Sequence, residues 1–235
     1  MKRDPSIRLL RPFWTYYGGK WMIAGRYPAP EHSVIVEPFA GAAGYATRYY
    51  FADVRLFDVD PKIVGMWSYL IRVTPRELLA LPDLAPGETV HDLQVPQEAR
   101  WLIGFWLDNG KARPNKQASK WMRDGGRPDS FWGEFVRRRL AAQVGFIRHW
   151  KVTHGSYESI PDMRATWFVD PPYTSKAGRN YTHDAVDFEH LGKWCRARRG
   201  QTIVCEAAGA SWLPFSRFGV AGRNDAGEVY WTQST

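Results

Sequence analysis

Short apolar runs alternate with segments of three-to-four periodicity along this chain, and the alternation predicts an α/β fold. Ser33-Val-Ile-Val-Glu-Pro-Phe39 reads as a strand, followed by the small-residue loop Ala40-Gly-Ala-Ala-Gly44 and a helix from Tyr45 to about Phe51. Val54 to Phe57 is a second strand, ending at Asp58-Val-Asp60 before a helix from Lys62 to Val73. Thr74-Pro-Arg-Glu77 has the form of a capping box and opens a further helix that stops near Pro82. Helices are also expected from Lys20 through Ala24, from Gln97 to Leu107, and from a Ser130 cap to about Trp150, the last with Val136, Leu140, Val144 and Ile147 on one face. In the last third, Gly155–Ile160, Ala165–Val169 and Gln201–Ala207 read as strands and Asp187–Arg199 as a helix. A hairpin from Ser216 to Trp231, turning across Asn224 to Gly227, closes the pattern.

The periodicity fails between residues 82 and 96, which are rich in proline, and between 111 and 128, which are polar and basic. At 235 residues the chain is long enough for one full-sized domain. The reading is therefore a catalytic domain formed by residues 1–81 and 153–235, with a small, mainly helical insert at 82–152. Charge changes the picture of that insert. The net charge is +8, and the stretch from Lys111 to Lys151 alone holds eleven basic residues against three acids. Such a balance points to an acidic partner, and nucleic acid is the commonest. Lys111, Arg113, Lys116, Lys120, Arg123 and Arg127 lie in the loop, and Arg137, Arg138 and Arg139 are expected on the outer surface of the following helix. Trp121 and Trp132 interleave with them, as a surface that tracks phosphates and stacks bases requires. Cys195 and Cys205 have neither CxxC nor histidine spacing, so no metal site or disulfide is expected. No apolar run approaches the roughly 20 residues of a membrane span. The first residues lack a signal-peptide core, so the expected location is the cytoplasm.

Candidate chemistry gathers at Asp170-Pro-Pro-Tyr173, directly after the strand Ala165–Val169. A carboxylate at the carboxyl end of a strand lies where open α/β sheets bind ligands. Pro171 and Pro172 remove two backbone donors, which leaves an acceptor-rich corner beside an aromatic ring. That corner suits an amino group on a flat heterocycle, donating to the Asp170 carboxylate and the Pro171 carbonyl while Tyr173 stacks on the ring. Upstream, Tyr16-Tyr-Gly-Gly-Lys20 offers a glycine turn that admits a ligand closely, and a cation beside it. Asp58 follows Gly41 by 17 residues, near the spacing of a ribose-binding acid in a nucleotide-binding unit. Asp60, just before Pro61, is the better helix cap.

Tyr16-Tyr-Gly-Gly-Lys20, Glu37-Pro-Phe-Ala-Gly-Ala-Ala-Gly44, Asp58-Val-Asp60 and Asp170-Pro-Pro-Tyr173, in that order, resemble the Dam-like, alpha-class DNA adenine-N6 methyltransferases. The resemblance covers roughly residues 11–75 and 153–208, and the basic segment occupies the interval where that family inserts its DNA-recognition region. It implies a Rossmann-like S-adenosylmethionine-dependent fold and methyl transfer to N6 of a flipped adenine in a specific double-stranded sequence. Asp170, Pro171, Pro172 and Tyr173 would form the catalytic corner. Tyr16, Gly18, Gly19, Lys20, Glu37, Pro38, Phe39, Gly41, Gly44, Asp58, Val59 and Asp170 would bind the cofactor. No metal is implied. The resemblance is compatible with a bacterial or phage setting and with functional pairing with a restriction endonuclease, and decides neither. Two positions depart from the family, Ala43 where glycine is frequent and Asp60 where asparagine is. Cytosine-N4 or RNA amino methylation, and a non-catalytic DNA-binding role of the same fold, stay open at this point.

Overall fold

The computed structural model describes residues 9–108, 110–218 and 227–235. β1 (Val34–Glu37) leads through a tight loop into α1 (Gly44–Arg48), then β2 (Asp53–Asp58), α2 (Pro61–Arg72) and α3 (Pro75–Leu79). α4 (Gln97–Trp106), α5 (Lys120–Arg123) and α6 (Glu134–Gln143) follow, before β3 (Lys151–His154) and β4 (Ala165–Val169). α7 (Phe188–Arg196), β5 (Gly200–Ala207), β6 (Ser216–Arg217) and β7 (Glu228–Ser234) complete the chain. Among the described residues the strands make one mixed sheet in the order β3-β2-β1-β4-β5-β7-β6. β1 to β5 are parallel neighbours, while β7 runs antiparallel to both β5 and β6. The architecture is α/β and compatible with a Rossmann-like fold. Its strand order reverses between β1 and β4, which opens a crevice at their carboxyl ends.

Alternation along the central strands builds a core on each face of the sheet. Ile35, Phe168, Ile203 and Cys205 join the cluster containing Ile63, Met66, Trp67, Leu102 and Leu140. Val36, Trp167, Val169 and Val204 join the opposite cluster, with Leu191 and Trp194 of α7. All five residues of β4 are buried, as expected for a central parallel strand covered on both faces. Each such branched side chain contributes roughly 1.5–3 kcal/mol on full burial. Both cysteines are buried and free.

Local signals fixed several elements as expected. The Asp60 carboxylate accepts from Lys62 N at 2.8 Å and Pro61 begins α2, while the reciprocal Thr74–Glu77 capping box opens α3. Four expectations change. The segment after Lys20 forms two 3-10 turns, Lys20–Met22 and Ala24–Arg26, rather than an α-helix. The long helix expected from Ser130 begins only at Glu134, because Trp132 N donates to Trp106 O and its indole to Pro82 O, drawing the preceding residues against α4. It ends at Gln143, whose side-chain amide bonds both backbone groups of Arg11, and a 3-10 turn covers Val144–Ile147. The strand expected at 155–160 lies earlier, as β3, and Tyr157–Ser159 is a 3-10 turn. The final hairpin is present as β6 and β7; of its expected turn, residues 224–226 lie outside the described residues.

Residues 82–152 share the first core: α4 packs on α2 and α6 on α3, and β3 continues the sheet beside β2. None of the described helices is long and apolar enough to cross a membrane.

Candidate functional site

The crevice at the strand-order reversal is lined by residues 16–20, 37–44 and 58–60, with Asp170 and Pro172. Every residue expected at the cofactor site lies there. The loop after β1 is held in place by three bonds: Gly41 N donates to Asp58 Oδ2 at 3.0 Å, Ala40 N to Phe57 O at 2.9 Å, and Trp67 Nε1 to Gly41 O at 2.9 Å. Asp58 also accepts from Asp60 N at 2.9 Å. Its two oxygens thus tie the glycine loop to the end of β2, and burial still pushes its carboxyl up to about 6 against those two backbone donors. Glu37, buried at the end of β1, accepts from Ala46 N at 2.6 Å in the first turn of α1, and burial pushes its pKa well up. Ala43 has φ 45, a left-handed backbone that costs an L-residue roughly 1–2 kcal/mol.

Gly44 brings the glycine turn to this loop. A Cβ there would stand 2.5 Å from Trp21 N and 2.9 Å from the Lys20 carbonyl carbon, so α1 and the Lys20 backbone are in direct contact. Lys20 is 6% exposed, and its ammonium reaches Asp170 Oδ1 at 2.9 Å and Gly18 O at 2.8 Å. Burial works against that charge, but Asp170 and then Glu228 outweigh it and hold the lysine pKa above its ordinary value. Burial likewise raises Asp170, to about 6, with Lys20 opposing and Glu228 adding to the shift.

Tyr173 points into a second cavity that shares residues 16–20 and Tyr181 with the first. The Lys20 ammonium sits 4.8 Å from its ring centroid, and its hydroxyl donates to Glu228 Oε1 at 2.5 Å. Tyr27 donates to the same oxygen. Pro171 is buried and lines neither cavity, while Pro172 lines the first. Glu206, at the end of β5, accepts from Thr174 N and from the Trp212 indole, which anchors the chain just beyond Tyr173. The polar loop after Ser175 lies over the junction of the two cavities, where the Tyr181 hydroxyl donates to Tyr17 O at 3.0 Å.

Glu228, Glu206, Tyr27 and Tyr181 carry no local sequence signal; they come to the site only through β7, β5 and the covering loop. The basic segment divides. Lys111, Arg113, Lys116, Lys120, Arg123, Arg127 and Arg138 are exposed, whereas Arg137 and Arg139 are half-buried. Arg137 pairs with Asp83 and Arg138 with Glu134, and Arg139 stacks over Trp106 at 4.9 Å. Trp132 is buried beneath Arg137, so it is a core residue and not a stacking platform, while Trp121 stands 77% exposed.

The arrangement comprises an acid- and ring-lined crevice at the sheet's ligand-binding edge and an ion-paired carboxylate at the wall of an adjoining aromatic cavity. No protein-family model matches the chain, and no curated protein matches it.

Proposed function

We propose that this chain is an S-adenosylmethionine-dependent methyltransferase of the Dam-like type, acting on the N6 amino group of adenine in double-stranded DNA. The observation that carries the reading is the meeting of four sequence motifs, distant along the chain, on one crevice at the β1–β4 reversal, with Tyr173 facing the adjoining cavity. The residues fit the cofactor. The positive-φ Gly41 lets the loop close against the Tyr16 ring, which a Cβ there would meet at 3.1 Å, so backbone and ring together wall the crevice. Asp58 supplies acceptors for ribose hydroxyls, Tyr16 and Phe39 supply ring surfaces, and Asp170 sets negative charge for a methionine ammonium, while the buried Glu37 carboxyl fixes the start of α1 at the crevice wall. When bound, S-adenosylmethionine supplies a methyl group already activated on a sulfonium.

The chain's own residues then have to make a poor nucleophile react. Adenine N6 delocalises its lone pair into the ring. Asp170 accepts from the amino group, favours a pyramidal nitrogen and stabilises the positive charge that develops on it, while Pro171, buried behind the cavities, holds Asp170 and Tyr173 in their turn. Lys20 favours the ionised form of Asp170 in a buried setting through one carboxylate oxygen. Tyr173, its hydroxyl fixed by Glu228, offers a ring to a flipped base, and such stacking is worth ~1–3 kcal/mol against the few kcal/mol that flipping costs.

The test is incubation of the purified protein with unmethylated DNA and labelled S-adenosylmethionine, followed by nucleoside digestion and mass spectrometry. N6-methyldeoxyadenosine, lost in Asp170→Ala while DNA retention persists, is the expected result. N4-methyldeoxycytidine would move the substrate to cytosine, and DNA binding without any product would overturn the enzymatic reading.

A further inference from the structure

A third cleft opens beside the glycine turn, lined by Tyr16 and Gly19 but not by Asp170. Its walls carry Arg11, Arg127 and Arg139, with Thr15, Ser130 and a single carboxylate, Asp129. Asp129 is already engaged: it accepts from Ser130 Oγ at 3.2 Å and lies 3.8 Å from Arg127 Nε. Among the described residues neither Arg11 nor Arg139 has a carboxylate within salt-bridge distance. The Arg11 guanidinium lies 4.7 Å from the Trp21 ring centroid and that of Arg139 4.9 Å from the Trp106 centroid, so aromatic faces, not carboxylates, neighbour both charges. Arg139 spends Nη1 on the Asp129 carbonyl, but its Nε and Nη2, and the Trp14 indole nitrogen on the same wall, are shielded from solvent without a hydrogen-bond partner. All three are donors. They are closed to solvent, so the groups an anion entering the cleft would meet are the exposed guanidiniums of Arg11 and Arg127, with the Arg139 charge behind them. Burial and the nearby Arg11 also lower the Arg139 pKa, a repulsion that an anion between them would relieve.

We infer that Arg11, Arg127 and Arg139 form a subsite for a backbone phosphate of the DNA strand that carries the target nucleotide. The placement decides the source of the phosphate. This cleft shares Tyr16, Gly19 and Met22 with the cavity that holds Tyr173, and shares Arg127 and Ser130 with the next depression, where Lys120 and the exposed Trp121 stand. A continuous path therefore runs from the base cavity, past the arginines, to an exposed indole flanked by cations. Such a path fits a polymer strand: phosphate on the arginines, an adjacent base against Trp121. The inference rests on the DNA reading above.

The experiment is a titration of a fluorescent DNA duplex by the full chain across a sodium chloride series, for wild type, Arg11→Ala, Arg127→Ala and the exposed control Lys193→Ala. Each lost phosphate contact lowers the slope of log affinity against log salt by about 0.9. The expected result is that reduction in both arginine variants and none in the control. Replacing the phosphates near the target one at a time by neutral methylphosphonates should weaken wild-type binding at one position to which Arg11→Ala is indifferent. Unchanged slopes, or equal losses in Lys193→Ala, would overturn the subsite. Binding of deoxyadenosine monophosphate as tight as the duplex, with the same arginine dependence, would assign the cleft to a free nucleotide and overturn the strand path. Methyl transfer with unchanged slopes defeats this inference alone, whereas normal slope changes without methyl transfer defeat only the proposed enzyme activity.

Discussion

The Lys20 ammonium lies 2.9 Å from Asp170 Oδ1, an ion pair that joins the glycine turn to the end of β4. It sits where two carboxylates, Asp170 and Glu228, face one cation. That balance suits a reaction in which positive charge grows on an amino nitrogen.

Removing the cation tests the pairing. Lys20→Met leaves Asp170 buried without its counter-charge, so the acid limb of the methyl-transfer pH profile should rise by about 1–3 pH units. Stability should fall by about 3–5 kcal/mol, the usual cost of breaking a buried pair. Measured pH–rate curves that superimpose for the two proteins would remove Asp170 as the group that titrates.

Activity and stability should respond to acid in opposite directions. Asp170 and Asp58 both titrate near 6 in the folded protein, above the ordinary 3.8, so the fold binds protons that the unfolded chain does not. Stability therefore gains from these two groups as pH falls from above 6 towards 3.8, while methyl transfer declines over the same window because Asp170 loses its charge. Urea denaturation and initial rates, both followed from pH 7 to pH 4, check the two signs.

Asp58 and Asp60 divide their labour, and substitution should separate them. Asp60→Ala removes the α2 cap and should cost about 1 kcal/mol of stability, with cofactor affinity little changed. Asp58→Asn should weaken S-adenosylmethionine binding by calorimetry far more than it lowers the melting temperature. The reverse pattern would assign the ribose to Asp60.

Glu228 is expected to act by holding Tyr173. Glu228→Leu strands the Tyr27 and Tyr173 hydroxyls and should cost about 2 kcal/mol or more. Glu228→Gln keeps an acceptor and should retain most of that stability. Raised KM for DNA in the leucine variant, with the glutamine variant near wild type, is the expected kinetic pattern; equal KM values in both would show that the tyrosine needs no anchor.

Gly44 should tolerate no side chain. In Gly44→Ala the added methyl would meet Trp21 N at 2.5 Å, so the Lys20 turn must shift and the Lys20–Asp170 pair with it. Overpacking of this kind costs about 1–3 kcal/mol. A crystal structure of the variant with an unmoved Lys20 would show the contact to be slack.

The sequence alone determined whatever depends on neighbours along the chain. The apolar runs gave β1, β2, β4 and β5, because branched residues in short bursts suit buried parallel strands whatever lies beside them. The Asp60 and Thr74 caps were readable because a cap is made within three residues. The residues of the motifs at 16–20, 37–44 and 58–60 line one crevice, since each stands at a strand end or loop that its own segment defines. Tertiary structure decided the rest. Ser130 looked like a helix start, yet Trp106 and Pro82, distant in sequence, take the bonds that would have let the helix begin there. Arg139, expected on a solvated face, instead lies over Trp106 and bonds the Asp129 carbonyl, contacts with residues that its own helix does not supply. Glu228 reaches Lys20 and Tyr173 only because β7 runs antiparallel to β5, a pairing between distant strands that no local pattern encodes.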